Sequence, residues 1–252
     1  MPPIIEGVIA RRILLNFRVD PEVAQALTPA PLKVKLAKDN ALFGICLLRI
    51  ERARPKGLPE FLRLASENMA HRYAIRFAQR DGEEEGVFIP RRDTDDGFVQ
   101  LLGGRAFPGY AHRARFRIQE TAGGLEMEVH TDNAVADLHV QARWPATWQG
   151  SKVFDSFEDA SNFFRQAPCG FNWGRGGRTL EGLRLQTKEW RMEPLQVSDL
   201  DSRFYENRTR FPQGSVEFDH GLLMRAIPHE WYALSDVPEL AGEFGEPEPI
   251  SY

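Results

Sequence analysis

The stretch YAHRARFRIQETAGGLEMEVH, residues 110–130, decides the fold. In residues 110–118, apolar or aromatic side chains alternate with three arginines. A period of two places the two sets on opposite faces of a β-strand. The pair Gly123-Gly124 predicts a turn, and the same alternation continues over residues 125–130. We therefore predict an antiparallel hairpin with one apolar face and one charged face.

The charges and the bulky side chains suggest a register for this hairpin. Folding about the two glycines places Arg117 opposite Glu126 on the charged face and Phe116 against Met127 on the apolar face. Asp132-Asn133 predicts a second two-residue turn, which leads into a third strand. The stretch is thus predicted to be a three-stranded meander.

Most of the remaining chain also has the pattern of strands, and helices are few. The best helix signals are Asp20 before Pro21, as N-cap and first helical residue, and Ser156 before an amphipathic stretch. Residues 95–103 and 198–205 are two further helix candidates. Long antiparallel strands with few helices predict an α+β fold built on a curved or closed sheet, because closure removes unpaired edges. The candidate strands cover residues 8–19, 32–38, 41–50, 69–79 and 87–91.

Length and composition predict one domain. The chain has 252 residues, of which 42% are hydrophobic, enough for one substantial core. We assign residues 1–237 to a single β-barrel domain. Residues 238–252 are rich in Glu, Pro and Gly and are predicted to be loosely ordered.

Several classes of function are disfavoured. A net charge of -4 provides no basic field for nucleic acid. No apolar run has the length of a membrane span and no signal peptide is evident, so we expect a cytoplasmic protein without a membrane partner. Six dispersed histidines and two distant cysteines form no metal-binding spacing. Residues 170–178 lack the Gly-Lys-Ser/Thr of a phosphate loop. We therefore predict no metal and no cofactor.

Two histidines are candidates for chemistry. His112 lies on the apolar face of the first strand of the hairpin, and His71 shares a predicted face with Tyr73. An imidazole inside a barrel can act as an acid, a base or a hydrogen-bonding anchor. It can equally be a core histidine bonded to a backbone carbonyl, and the sequence leaves both interpretations open.

The segment GGRAFPGYAHR, residues 103–113, is similar to the turn Gly-Arg-Glu-x-x-Gly-Phe-Pro-Lys-Lys of acetoacetate decarboxylases. Residues 86–96 resemble the strand and acidic loop that precede that turn. Residues 70–73 resemble the Asn-x-Arg-Thr-Tyr element of the YqjF-like bacterial relatives of that enzyme. The order of elements is similar over residues 12–142.

This resemblance implies a cone-shaped antiparallel barrel with a central pocket and is compatible with a homo-oligomer. In the decarboxylases the first lysine of the motif forms a Schiff base with the substrate, and the second helps to depress its pKa. The matching positions here are His112 and Arg113, neither of which can form that bond. We therefore predict that the chain is not a Schiff-base decarboxylase.

The combined prediction is a small-molecule-binding protein, or an enzyme of unassigned reaction, for a small carboxylate. His112 is the candidate catalytic residue. Arg72 is a candidate to hold the carboxylate, although strand alternation points it away from His71. The alternative is a non-catalytic structural or partner-binding protein whose barrel is filled by its own side chains, since 11% of residues are aromatic. The candidate ligand-binding residues are Arg105, Arg113, Arg72, His71, Tyr110 and Tyr73.

Overall fold

The computed structural model describes residues 4–59, 61, 64–79, 82–97, 108–174 and 179–234. Within these ranges a 13-stranded sheet dominates the fold and helices are short. The tail predicted at residues 238–252 and most of the helix predicted at 95–103 lie outside the described residues. The strands are β1 (Ile5–Val19), β2 (Lys33–Val34), β3 (Leu36–Ala37), β4 (Asn40–Pro55), β5 (Leu64–Gln79), β6 (Gly82–Thr94), β7 (His112–Thr121), β8 (Gly124–Thr131), β9 (Leu138–Arg143), β10 (Cys169–Trp173), β11 (Leu180–Thr187), β12 (Glu193–Ser202) and β13 (Val216–Ala233).

The sheet closes on itself. Its pairings run β13–β1–β4–β5–β6–β7–β8–β9–β12 and return to β13. Strands β10 and β11 form a second route from β6 to β13. Among the described pairings, β6 with β7 and β6 with β10 are parallel, and the others are antiparallel. The predicted α+β barrel, mainly antiparallel with a few peripheral helices, is confirmed.

Within the described residues the helices are α1 (Pro21–Ala26), α2 (Phe157–Arg165) and α3 (Arg203–Glu206). The predicted N-caps are confirmed: Asp20 accepts hydrogen bonds from the first turn of α1, and Ser156 accepts one from Asp159 in α2. The helix predicted at residues 198–205 is wrong over most of its length, because this segment extends β12 along β9 as far as Ser202. None of the described helices has the length and apolar character to span a membrane.

The barrel has an apolar interior and a second apolar layer outside. Inward-facing side chains of β1, β4 and β5, such as Leu15, Phe43 and Ile75, belong to the largest core cluster. Leu14 and Leu42 point the other way and pack under α2, against Phe163 and other aromatic residues. The sheet is therefore covered on both faces in this region, so polar side chains of either face can be buried.

The meander at residues 110–142 forms with a different register from the predicted one. Thr121 pairs with Gly124, so Ala122-Gly123 is the turn, Arg117 lies opposite Glu128, and Ile118 meets Met127. Gly124 itself lies in β8, where a Cβ would overlap the carbonyl oxygen of Ala142. This close approach places the second glycine in the strand rather than in the turn.

The second predicted turn is also longer than expected. Residues 132–137 form a loop before β9 begins at Leu138. Asp137 closes this loop, because its carboxylate accepts hydrogen bonds from the backbone N–H and the hydroxyl of Thr131. The side chain of Asp137 thus makes the contacts that a two-residue turn would make through the backbone.

Candidate functional site

Four polar side chains meet inside the barrel where β5, β6 and β7 lie side by side. His71 of β5 is paired in register with Arg91 of β6, and Asp93 of β6 is paired with His112 of β7. Met69, the partner of Asp93 on β5, belongs to the interior core. Since residues two apart on a strand share a face, all four side chains lie on the interior face. We call His71, Arg91, Asp93 and His112 the interior polar cluster.

Arg91 and Asp93 form a buried bidentate ion pair. Nε and Nη2 of Arg91 lie 3.0 Å and 2.7 Å from the two carboxylate oxygens, and both side chains are 0% exposed. Burial raises the pKa of Asp93 to about 6, even though the hydrogen bonds from Arg91 act in the opposite direction. Nη1 of Arg91 is buried and has no hydrogen-bond partner among the described residues. The pair therefore leaves one donor nitrogen, Nη1 of Arg91, available to the barrel interior.

His71 is the most deeply buried member of the cluster. Its ring is 0% exposed and stacks on Phe204 of α3, with 3.9 Å between ring centroids. Neither ring nitrogen has a partner within the described ranges. Burial, and then the charges of Arg91 and Arg210, hold the pKa of His71 well below its ordinary value. The ring is therefore neutral at neutral pH, with one free donor and one free acceptor.

His112 is the half-buried member of the cluster. It is the first residue of β7, and the ring of Tyr110 meets it edge-on with 5.0 Å between centroids. Burial, followed by the charge of Arg91, lowers the pKa of His112 to about 4, although Asp132 acts in the opposite direction. A neutral imidazole that solvent can reach has the properties of a proton acceptor or a hydrogen-bonding anchor.

Aromatic side chains that follow β12 form the wall opposite His71. The ring centroid of Tyr205 lies 6.1 Å from that of His71, and the guanidinium of Arg210 lies 4.7 Å from the ring of Phe204. The hydroxyls of Tyr205 and Ser202 are also buried without a partner in the described part of the chain. Residues 202–205 therefore add two buried, unpartnered hydroxyls to the two ring nitrogens of His71.

A second ionic group joins four strands, β1, β4, β5 and β7, on the same face. Nη2 of Arg11 on β1 lies 2.7 Å from Glu67 of β5, and Nη1 bonds Glu120 of β7. Arg49 adds a longer contact of 3.5 Å to Glu67. Burial raises the pKa of Glu67, against the lowering effect of Arg11. Because each described charge here has an opposite partner, this group is best explained as a link that closes the barrel.

Of the predicted site residues, His71 and His112 belong to the interior polar cluster, and the others described lie outside it. Tyr73 faces the interior, where its ring stacks on that of Phe43 with 3.6 Å between ring centroids. Tyr110 lies at the surface and is 40% exposed. Arg72 and Arg113, both candidate ligand-binding residues, lie on the outer face, as alternation along the strands indicated, so neither belongs to the interior polar cluster. Arg105 lies outside the described residues.

The pair Arg91–Asp93 was missed in the sequence. A signal was present, since Asp93 stands two residues after Arg91, where the strand predicted at residues 87–91 ends, and a strand continued to residue 93 places both on one face. Nothing in the sequence, however, indicates that β7 pairs parallel to this end of β6 and brings His112 beside it.

None of the six lysines reaches the interior polar cluster. Lys35 is buried on the outer face, where its Nζ lies 2.5 Å from Glu85 and 3.7 Å from the ring centroid of Phe163. Burial lowers the pKa of Lys35. Within the described residues no group of His, Cys, Asp and Glu side chains could hold a metal ion. The other lysines are exposed: Lys33, Lys38, Lys56, Lys152 and Lys188.

Solved structures with this architecture define the class of protein. An acetoacetate decarboxylase from Legionella pneumophila subsp. pneumophila str. Philadelphia 1 is 12% identical, with a TM-score of 0.57 over 96% of this chain and 88% of that one. The enduracididine biosynthesis enzyme MppR, complexed with pyruvate, is 12% identical, with a TM-score of 0.55 over 94% and 91%. An acetoacetate decarboxylase-like enzyme from Sphingomonas wittichii RW1 is 14% identical, with a TM-score of 0.52 over 94% and 92%. The fold is therefore that of the acetoacetate decarboxylase-like proteins.

Within that class, the chain belongs to the family DUF2071, described as an uncharacterized conserved protein (COG2071), whose model matches residues 9–220. The resemblance seen in the sequence is thereby confirmed. No curated protein sequence matches the chain.

Proposed function

We propose that this protein binds a small carboxylate inside the barrel, at His71, Arg91 and His112. The observation that carries the proposal is the set of buried, unpartnered polar atoms: both ring nitrogens of His71 and Nη1 of Arg91, among the described residues. A buried polar group without a hydrogen bond costs about 1–3 kcal/mol, so such groups in a native protein call for an explanation. A bound ligand supplies one.

The charges favour an anion. Arg91 and Arg210 both act on His71, and within the described residues Asp93 is the carboxylate that pairs with Arg91. Nη1 of Arg91 and one N–H of His71 are the donors for a carboxylate, since charge-assisted hydrogen bonds are the strong ones. His112 is the polar anchor or base at the accessible side. The pyruvate complex of MppR supports a small acid as the ligand of a barrel with this fold.

Pyruvate is the first probe, within a panel of small keto and hydroxy acids and their neutral amides. We expect calorimetry to detect binding of an acid but not of its amide. The variants His71→Leu and His112→Ala each weaken that binding by about tenfold or more, the loss of one charge-assisted hydrogen bond. His130→Ala removes an exposed histidine from the outer face of β8 and is the matched control. Binding that is unchanged in both interior variants, or absent across the panel, contradicts the proposal.

We also propose that no Schiff base forms on this chain. Borohydride reduces a lysine Schiff base to a stable amine, so labelled acetoacetate becomes fixed to any lysine that reacts. Because the six lysines lie away from the interior polar cluster, we expect no stoichiometric label by mass spectrometry. An acetoacetate decarboxylase treated in the same way is the positive control. One label per chain on any lysine overturns this part of the proposal.

A second candidate function is a non-catalytic structural or partner-binding protein with a self-filled barrel. It is favoured by the aromatic side chains that pack against one another in the interior. The same titration separates the two candidates, because a filled barrel binds none of the acids. The aromatic residues concerned are Phe17, Phe43, Tyr73, Phe204, Tyr205 and Phe211.

A further inference from the structure

A second polar cluster lies on the outer face of the barrel, beneath α2. Arg72, Gly44, Asn16 and His220 are register partners across β5, β4, β1 and β13. They form one row across four neighbouring strands, which we call the outer row. Gly44 lets the side chain of Arg72 cross β4, because a Cβ there would lie 3.1 Å from Nη2 of Arg72. Arg72, Asn16 and His220 are at most 4% exposed.

Arg72 is a buried cation that has no carboxylate within ion-pair distance among the described residues. Its Nη2 donates to the amide oxygen of Asn16, and its Cζ lies 4.6 Å from the ring centroid of Phe164 in α2. Its Nε is buried without a partner in the described ranges. Burial lowers the pKa of Arg72 to about 10. Nε of Arg72 therefore lacks a hydrogen-bond acceptor, and an anion is the acceptor that a buried guanidinium binds most strongly.

His220 provides the second unpartnered atom. Its Nδ1 lies 2.6 Å from the carboxylate of Asp219, which also accepts from the backbone N–H of Lys152 and the hydroxyl of Ser151. A carboxylate only accepts, so Nδ1 carries the proton and Nε2 presents a lone pair. Nε2 is buried and has no partner within the described residues. Burial lowers the pKa of His220 against the raising effect of Asp219, and the charge of Arg72 adds to the lowering, so the ring is neutral at neutral pH.

Arg72 and His220 share one compartment. The rings of Trp148, Phe154 and Phe164 surround His220 with centroid distances of 5.4, 5.6 and 6.2 Å. Phe164 also contacts Arg72. A group that satisfies both unpartnered atoms must accept a hydrogen bond from Nε of Arg72 and donate one to Nε2 of His220.

We propose that this compartment is an anion site, separate from the interior polar cluster, that takes a small oxyanion carrying one proton, of the size of hydrogencarbonate. Its charged oxygen accepts from Nε of Arg72, and its hydroxyl donates to Nε2 of His220. Formate has acceptors only, so it satisfies Arg72 but not His220 and binds more weakly. The site does not depend on the proposed interior function.

The test uses the full chain and takes hydrogencarbonate as the probe. Formate and chloride, each at the same ionic strength, are the comparison anions. Nitrogen NMR of protein labelled at histidine follows Nε2 of His220, with His220→Gln to assign the signal. We expect a saturable change with hydrogencarbonate, a weaker response to formate and none to chloride. Arg72→Met weakens the response by about tenfold or more, the loss of one charge-assisted contact. Arg76→Met removes an exposed arginine from the same face of β5 and keeps the response.

His71→Leu distinguishes the two proposed sites. It changes the interior polar cluster, and we expect the response of His220 to hydrogencarbonate to remain. The proposal is overturned if Nε2 of His220 does not respond to hydrogencarbonate, or responds equally in folded Arg72→Met. A crystal structure of the unaltered chain in hydrogencarbonate is the second measurement and needs no variant. Trigonal density between Arg72 and His220 supports the site, and a single ordered water in that place overturns it.

Discussion

Replacing Arg91 with leucine is expected to lower the free energy of unfolding by about 3–5 kcal/mol, because it leaves a carboxylate buried without its cation. Both side chains are 0% exposed, and Nε and Nη2 of Arg91 donate hydrogen bonds to both carboxylate oxygens of Asp93. Urea denaturation followed by circular dichroism measures the loss. The loss becomes smaller as pH falls toward about 6, because Asp93 without Arg91 takes up a proton above the pKa of about 6 that it has beside Arg91.

Two variants separate this effect from the loss of an arginine as such. Arg225→Leu removes a guanidinium from a pair with Glu193 that is about 40% exposed, and its cost should stay below about 1 kcal/mol. The double variant Arg91→Leu, Asp93→Leu should regain most of the stability, because no charge is then left buried. A loss for Arg91→Leu no larger than that for Arg225→Leu means that Asp93 is not buried as described.

The alternation of apolar and charged residues correctly predicted the faces of β7 and β8, but it did not predict the register in which the two strands pair. The turn at Ala122-Gly123 moves the pairing of β7 and β8 so that Arg117 meets Glu128 instead of Glu126. A slip that shifts partners by two residues leaves every side chain on its original face, so the hydrophobic pattern cannot detect it. What decides it is a backbone approach of Gly124 to Ala142 on a third strand, which only the folded sheet reveals.

The same limit applies to the candidate site. Alternation placed His71 and Tyr73 together on the interior face and pointed Arg72 away, and both placements agree with the structure. The error was to use Arg72 as an interior ligand against that alternation. The meeting of His71, Arg91 and His112 depends on barrel closure through the parallel contact of β6 and β7, which brings together residues distant in sequence.

Between pH 4 and 6.5, the free energy of unfolding is expected to rise with pH. In the unfolded chain a histidine binds a proton below pH 6.5, whereas His71 in the fold stays neutral far below that value, and His112 and His229 stay neutral down to about pH 4. The unfolded state therefore binds more protons across this range, and stability increases as pH rises. Asp93, whose pKa is raised from 3.8 to about 6, works in the opposite direction, as do Glu67 and Asp95, whose pKa values burial also raises. With His220, whose pKa is also lowered by burial, the histidines outnumber these three acids.

The variant His71→Leu removes one of the histidines that bind a proton in the unfolded chain but not in the fold. Its stability relative to the unaltered chain should grow by up to about 1.4 kcal/mol for each pH unit below 6.5, measured by urea denaturation at several pH values. Met69→Leu changes a neighbouring interior side chain that does not titrate, so its difference from the unaltered chain should be the same at every pH. At neutral pH, leucine at position 71 should cost little stability, because it replaces two unpartnered nitrogens.

These two results together decide how His71 is to be understood. A residue that weakens the fold in acid and contributes no hydrogen bond within the described chain is poorly explained by stability, and ligand binding gives it a reason to be there. If the difference between His71→Leu and the unaltered chain is constant with pH, His71 takes up its proton equally well in both states. That behaviour requires a hydrogen-bond partner or water beside the ring, and the carboxylate site then loses the observation on which it rests.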